Sequence, residues 1–181
     1  MNNFIGNYVG FDGRLNRQPF WISAIVLAVA GAIINWVLLA VTGANGIIDV
    51  QALISGGATM EEISAQIMDL TRRAGWISLV TFIILFYPVA AISVKRRHDK
   101  NNSGLDVWIY LGLALILGLI QALGLGMTTV EIGGMVVPSP TPLLSVLGVV
   151  IGIFAIYLLV VMGFLKGTEG PNAYGPDPLQ G

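Results

Sequence analysis

Four stretches of this chain, residues 20–42, 75–94, 107–126 and 143–165, contain no Asp, Glu, Lys or Arg. Each is 20 to 23 residues long, and about 20 apolar residues in a helix cross the ~30 Å hydrocarbon core of a bilayer. Lipid offers the backbone no hydrogen bonds, so each run must satisfy its own N–H and C=O groups, as a helix does. A soluble bundle of such helices would have no polar face for water. Composition agrees, because only 10% of residues are charged against about 25% in ordinary soluble domains. The first run is too long for a secretory signal, and no A-x-A cleavage site follows it. The expected fold is an all-α integral membrane protein. Residues 1–181 form a single membrane domain with four transmembrane helices in a bundle.

The nine Lys and Arg residues give the bundle a direction. Arg14, Arg17, Lys95, Arg96, Arg97, Lys100 and Lys166 flank the runs on one side, and Arg72 and Arg73 on the other. Short basic flanks stay on the cytoplasmic side. The N-terminal segment 1–19, the loop 95–106 and the tail 166–181 are therefore expected in the cytoplasm. Trp21 and Trp108 then stand at the cytoplasmic ends of spans one and three, and Trp76 at the outer end of span two, as interfacial anchors do. Trp36 lies deeper. Within the spans Asn35, Gln121 and some hydroxyls are the polar groups, with no acidic or basic side chain, which speaks against ion-coupled transport.

Between the spans, Thr59-Met60-Glu61-Glu62 has the spacing of a capping box. Ile63, Ile67 and Leu70 follow at i, i+4 and i+7. A short amphipathic helix is expected in this first outer loop, lying on the membrane surface or extending span two. In the second outer loop, TTVEIGGMVV places β-branched residues around Gly133-Gly134, a hairpin signal, ahead of a stiff PSPTP segment. Small residues recur every four positions at Ala24, Ala28 and Ala32, at Ala114, Gly118 and Ala122, and at Gly148 and Gly152, as close helix contacts require. They serve packing within the bundle or, alternatively, between copies of the chain. Pro88 is expected to kink span two.

Three polar stretches share the expected cytoplasmic face: GFDGRLNRQPFW (10–21), KRRHD (95–99) and GTEGPNAYGPDP (167–178). With a helix start near Asp12 or Gly13, Arg14, Arg17 and Trp21 fall on one helical face at i, i+3 and i+7. Arg14, Arg17, Arg96, Arg97, His98, Asp99, Asn172, Tyr174 and Asp177 are the candidate binding residues of this constellation. His98 and Asp99 are neighbours on one helix and do not face each other. No nucleophile motif, H-E-x-x-H pair or phosphate-binding glycine loop completes a catalytic set, so no catalytic residue is assigned. With no cysteine and one histidine, disulfides, thiolate chemistry and Cys- or His-rich metal sites are excluded. No metal and no cofactor is expected. The net charge of −1 carries no nucleic-acid signal.

At FDGRLNRQPFW, at Arg96 to Asp99 with the later Ser103-Gly104, and at GPNAYGPDP, the chain resembles the bacterial inner-membrane family catalogued as domain of unknown function 805 (YhaH-like). That family's pattern runs Gly-Arg-x-x-Arg-x-x-Phe-Trp, then Arg-Leu-His-Asp and Ser-Gly-Trp, then Asn-x-Tyr-Gly-x-Asp-Pro. Two departures stand out. Arg97 replaces the usual Leu, and Leu105-Asp106-Val107 displaces the aromatic that normally follows Ser-Gly. The resemblance implies a four-span inner-membrane protein and supplies no activity.

The residues themselves give a reading in which the motifs staple the bundle. Arg14 or Arg17 pairs with Asp99 or Asp177, where partial desolvation strengthens a bidentate pair. The remaining cations meet anionic headgroups of the membrane lipids, at about 1 kcal/mol per Lys or Arg, or a membrane-protein partner, with a homo-oligomer also admitted. A non-catalytic scaffold or accessory component is expected. The alternatives are a passive channel or transporter subunit formed by oligomerisation, and a membrane-embedded enzyme acting on a phosphorylated or lipid substrate. The charge asymmetry is testable directly. Reporter fusions near residues 50, 100, 135 and 181 should read outside, inside, outside and inside. A periplasmic signal at the last would overturn the orientation.

Overall fold

The computed structural model describes residues 4–44, 48–132 and 135–179. A 3₁₀ turn at Phe4–Tyr8 leads into α1 (Arg17–Thr42), α2 (Val50–Ser55), α3 (Met60–His98) and α4 (Leu105–Ala122). Strands β1 (Met127–Ile132) and β2 (Met135–Pro140) precede α5 (Pro142–Leu159), which continues as a wider π-helical turn over Val160–Phe164. Four helices (α1, α3, α4, and α5 with its π turn) are long and apolar enough to cross a membrane. The chain is an α-helical membrane protein, with four candidate spans and one small sheet among the described residues.

The start of α1 corrects one expectation. The helix begins at Arg17, not near Asp12 or Gly13. Gly13 sits at φ +85°, outside helical space for ordinary residues. A helix begun that early would also put Pro19 in its interior, where the ring lacks an N–H for the Leu15 carbonyl and collides with it. From Arg17, the proline falls in the first turn, whose N–H groups have no helical partner in any case. Asn16 caps this start: its side chain accepts from the Arg17 N–H at 2.6 Å and its carbonyl from the Phe20 N–H at 3.0 Å. Arg14 therefore precedes the helix and shares no helical face with Arg17 and Trp21.

Of the two placements open for the Thr59 helix, the structure adopts the extension of span two. α3 runs unbroken for 39 residues, roughly 60 Å at 1.5 Å per residue. The capping box forms in both directions, with the Thr59 N–H donating to Glu62 Oε2 at 2.8 Å and the Glu62 N–H to Thr59 Oγ1 at 3.3 Å. Pro88 lies inside α3, where its missing N–H leaves the Ile84 carbonyl without the usual helical donor. The separate helix in this loop is the short α2, capped by Asp49, whose side chain accepts from the Ala52 N–H at 2.9 Å.

α4 stops at Ala122, four residues before the expected end of span three. Gly124 takes φ +70°, while the Gly124 N–H reaches Gln121 O at 2.9 Å and the Leu125 N–H reaches Ile120 O at 2.9 Å. This is a Schellman closure, which needs a left-handed residue just past the helix. The hairpin follows as an antiparallel pair, with Met127 opposite Pro140 and Ile132 opposite Met135. The expected turn residues Gly133-Gly134 lie outside the described residues.

The chain divides into two compact units. One gathers Met1–Ile33, Phe82–Ala114 and Ile151–Gly181. Its core joins Leu15, Phe20, Ile92, Val107, Leu111, Leu158 and Met162, with Trp21 and Phe86 packed against it. The other gathers Ile34–Thr81 and Leu115–Val150. There Ile63 is fully buried, Ser64 and Thr129 share a 2.9 Å hydrogen bond, and Gly118 sits 3.3 Å from Leu79 when given a Cβ. Gly148 and Gly152 have nothing within 4 Å of a Cβ position, so this pair marks no close helix contact among the described residues. Gly75 does. A Cβ there would lie 3.1 Å from both the Gln121 carbonyl oxygen and the Ala122 Cα, backbone that cannot turn aside. Gly75→Ala should destabilise the protein by about 1–3 kcal/mol through overpacking. Gly148→Ala should stay within about 0.5 kcal/mol of the parent. Thermal unfolding of the two variants in one detergent checks this, and equal shifts would contradict it.

Candidate functional site

All nine candidate residues belong to the first unit, contributed by the stretch before α1, the end of α3 and the C-terminal tail. The C-terminal end of α3 organises them. Asn101 adopts φ +55°, its N–H donating to His98 O at 2.9 Å, and the Asn102 N–H donates to Arg97 O at 3.1 Å. This again is a Schellman closure, with Asn accepting the left-handed conformation that other side chains resist. Gly104 then turns into α4 at φ +76°, close enough to Val94 that a Cβ would touch it. The basic run is held on a rigid helix end rather than in a loop.

At the centre is the Asp99 carboxylate. Its Oδ1 accepts from Arg14 Nε at 3.2 Å and Nη2 at 3.1 Å, and Arg96 Nη1 pairs with Oδ2. All three side chains are buried. Arg14 also donates to the carbonyls of Thr168 (2.6 Å), Gly170 (2.7 Å) and Gly175 (3.4 Å). Arg96 donates to those of Met162 (2.6 Å), Leu165 (2.6 Å) and Leu15 (3.4 Å). Leu15 O is the acceptor that Pro19 could not have used. A guanidinium has five N–H groups, so Arg14 is saturated and Arg96 nearly so.

The tail closes over this centre. The Thr168 N–H and Oγ1 both bond Asp99 O, at 2.8 and 3.1 Å. A Cβ on Gly167 would overlap the Asp99 carboxylate, so only glycine fits there. Asn172 Nδ2 reaches His98 O at 2.9 Å, and Tyr174 stacks on the His98 ring at 3.8 Å, nearly parallel. His98 Nδ1 faces the Gly13 carbonyl at 3.2 Å. Asp177 takes N–H bonds from Gly170 and Leu179, each 2.9 Å. These amides, with Arg14 a smaller cause, hold its carboxyl below the usual range.

The other cations are placed by the same logic. Lys95 is buried, its ammonium donating to the carbonyls of Gly6 (2.6 Å) and Val9 (2.8 Å). Arg97 pairs with Asp106 through Nε–Oδ1 at 3.1 Å and Nη2–Oδ2 at 2.8 Å. Lys100 donates to Lys166 O at 2.7 Å. Burial first, then the neighbouring Arg96 and Arg97, push its pKa down. Arg17 departs from the expected carboxylate pairing. It is exposed, and Nη1 donates to Phe164 O at 3.3 Å. Asp177 likewise meets backbone amides instead of an arginine. Among the Arg–Asp pairings foreseen, Arg14 with Asp99 forms. The part that Trp21 plays was missed: its Nε1–H donates to Gly163 O at 3.0 Å, and a Cβ on Gly163 would come within 2.6 Å of the indole.

Comparison with known proteins gives a consistent picture. The family described as "Protein of unknown function (DUF805)" matches residues 8–176. Inner membrane protein YhaI of Escherichia coli (strain K12) is 23% identical over 175 residues, covering 97% of this chain and 91% of the relative. The uncharacterized protein YiiR of the same strain is 27% identical over 167 residues, covering 92% and 84%. No solved structure matches. The four candidate spans and the relative named an inner membrane protein fit a multi-pass protein of the bacterial inner membrane.

Removing one partner of a buried ion pair strands the other, at about 3–5 kcal/mol. Asp99→Ala and Arg14→Ala should each lower stability by that order. In a double-mutant cycle the pair should couple by more than about 0.5 kcal/mol. Additive losses in detergent unfolding would refute the staple.

Proposed function

The chain belongs to the DUF805 family, a family without an assigned function, and from its own geometry we propose a non-catalytic scaffold or accessory component of the inner membrane. The observation that carries this reading is the saturation of Arg14 by Asp99 and three carbonyls. Residues set to act on a substrate keep a free donor, base or nucleophile within reach of it. The Arg14 and Arg96 side chains instead lie buried on protein groups, and His98 lies between a backbone carbonyl and a phenol ring. The motifs act on the chain itself.

In this reading both termini face the cytoplasm. Contact with anionic headgroups, or with a protein partner, falls to the cations left outside, chiefly Arg17 and Lys166. Lys95, Arg96 and Arg97 serve the packing. The test uses full-length protein in mild detergent and a fluorescent phosphatidylglycerol. Retention should weaken with salt, because exposed charges are screened over about 3 Å at 1 M. Arg17→Gln and Lys166→Gln should each cost about 1 kcal/mol of retention. Arg97→Gln should lower thermal stability and leave retention intact. Salt-independent retention, or its complete loss on His98→Gln alone, would overturn the reading.

A further inference from the structure

We propose that the cleft beside Arg17 is a headgroup site for a phospholipid carrying both a phosphate and a primary ammonium, the phosphoethanolamine class. This rests on the part of the preceding reading in which Arg17 and Lys166 meet the phosphate of a lipid headgroup, and it narrows that headgroup to one whose phosphate is accompanied by an ammonium. The cleft has a volume of about 250 Å³, and its lining includes Asn16, Arg17, Lys166, Thr168, Glu169 and Asp177. Its charge is of two signs. Arg17 and Lys166 are cationic and exposed, and Glu169 is anionic and exposed. Asp99 also reaches the cleft, but Arg14 and Arg96 already neutralise it.

These groups retain unused bonding capacity. Arg17 makes one long hydrogen bond, to Phe164 O at 3.3 Å, of the five that a guanidinium can donate. The Lys166 ammonium and the Glu169 carboxylate are exposed and form no ion pair among the described residues. Asp177 accepts one amide on each oxygen, about half of what a carboxylate can take. Those amides also hold its carboxyl below the usual carboxylate range.

Position selects the source of the phosphate. Arg17 opens α1, and Lys166 follows the π turn that ends at Phe164, so both stand where apolar spans give way to polar chain. That is the depth of lipid phosphates, and favours a lipid over a soluble phosphate. The carboxylates then discriminate among headgroups. A primary ammonium offers three N–H donors to Glu169 and Asp177. A glycerol headgroup brings neutral hydroxyl donors with no positive charge to offset its anionic phosphate, and a quaternary ammonium brings charge without donors. Unpaired charge set against the wrong ligand is how such a site rejects it.

The test compares phosphatidylethanolamine, phosphatidylglycerol and phosphatidylcholine with identical fluorescent tails, bound to full-length protein in mild detergent. Phosphatidylethanolamine should bind about threefold more tightly than the other two, as one exposed ion pair allows. Glu169→Gln, a change at an exposed side chain, should erase its advantage over phosphatidylglycerol. Lys166→Gln should weaken all three. Soluble O-phosphoethanolamine should fail to displace the lipid at equal concentration. Equal or tighter binding of phosphatidylglycerol to the parent protein would overturn the selectivity while leaving phosphate contact standing. Absence of binding by any lipid would defeat both. Displacement by the soluble compound would assign the cleft to a soluble ligand and defeat the lipid site.

Discussion

The Asp99 carboxylate, buried between Arg14 and Arg96, joins the three polar stretches of the first unit. Two guanidinium charges against one carboxylate leave a surplus of one positive charge out of water, a large cost if uncompensated. Compensation comes from carbonyl dipoles. Arg96 takes Met162 O and Leu165 O, at the C-terminal end of the α5 helix and its π turn, where the partial charge is negative. Arg14 takes the carbonyls of Thr168, Gly170 and Gly175 in the tail. The carboxylate positions the arginines, and the arginines hold the segment before α1, the end of α3 and the tail in one arrangement.

The end of α5 is shaped for that purpose. Met162, Gly163, Phe164 and Leu165 present consecutive carbonyls to Arg96, Trp21, Arg17 and Arg96 again. A regular helix leaves its last four carbonyls unpaired, and near hydrocarbon such groups cannot be left without donors. The π turn over Val160–Phe164 and the extended Leu165 splay them outward, so side chains from two other segments can reach them. Gly163 admits the indole to its carbonyl, since any larger residue would occupy the ring's place. The Arg-x-x-Phe-Trp run at Arg17 to Trp21 therefore has a backbone-capping role that needs no ligand.

Much of this architecture is legible in the residues and some is hidden for physical reasons. Charge-free runs reveal spans because lipid tolerates little else, and Thr59 with Glu62 reveals a helix start because the cap is local. The α1 start was masked by periodicity. Arg14, Arg17 and Trp21 have helical spacing, and the overriding signal is Pro19, which forbids an interior position. The basic run at 95–100 reads as solvated, because Lys and Arg are almost never fully buried unless paired. Apart from Arg97, which pairs with Asp106, the run meets acceptors from residues 6–15 and 162–166, which no local pattern announces. The glycine at 167 was a readable clue only once Asp99 was known to lie against it.

The two departures from the family pattern meet in this structure. Where that pattern has Leu, this chain has Arg97, and where it has an aromatic after Ser-Gly, this chain has Leu105-Asp106-Val107. Arg97 and Asp106 form a two-bond pair across the α3–α4 turn, and Tyr157 donates to the same carboxylate at 3.3 Å. The Val107 N–H also donates to Asp106 Oδ1, at 3.1 Å, so all four acceptor positions of this carboxylate are used. Either change alone would leave a mostly buried charge facing an apolar neighbour, which is costly. Together they close the turn on partners separate from the Arg14–Asp99–Arg96 centre, because Arg97 pairs with Asp106 on α4 while Arg96 meets Leu15 and the end of α5 and Asp99 meets Arg14 and the tail. The corner can change its chemistry while the centre keeps its own, since the two draw on separate partners.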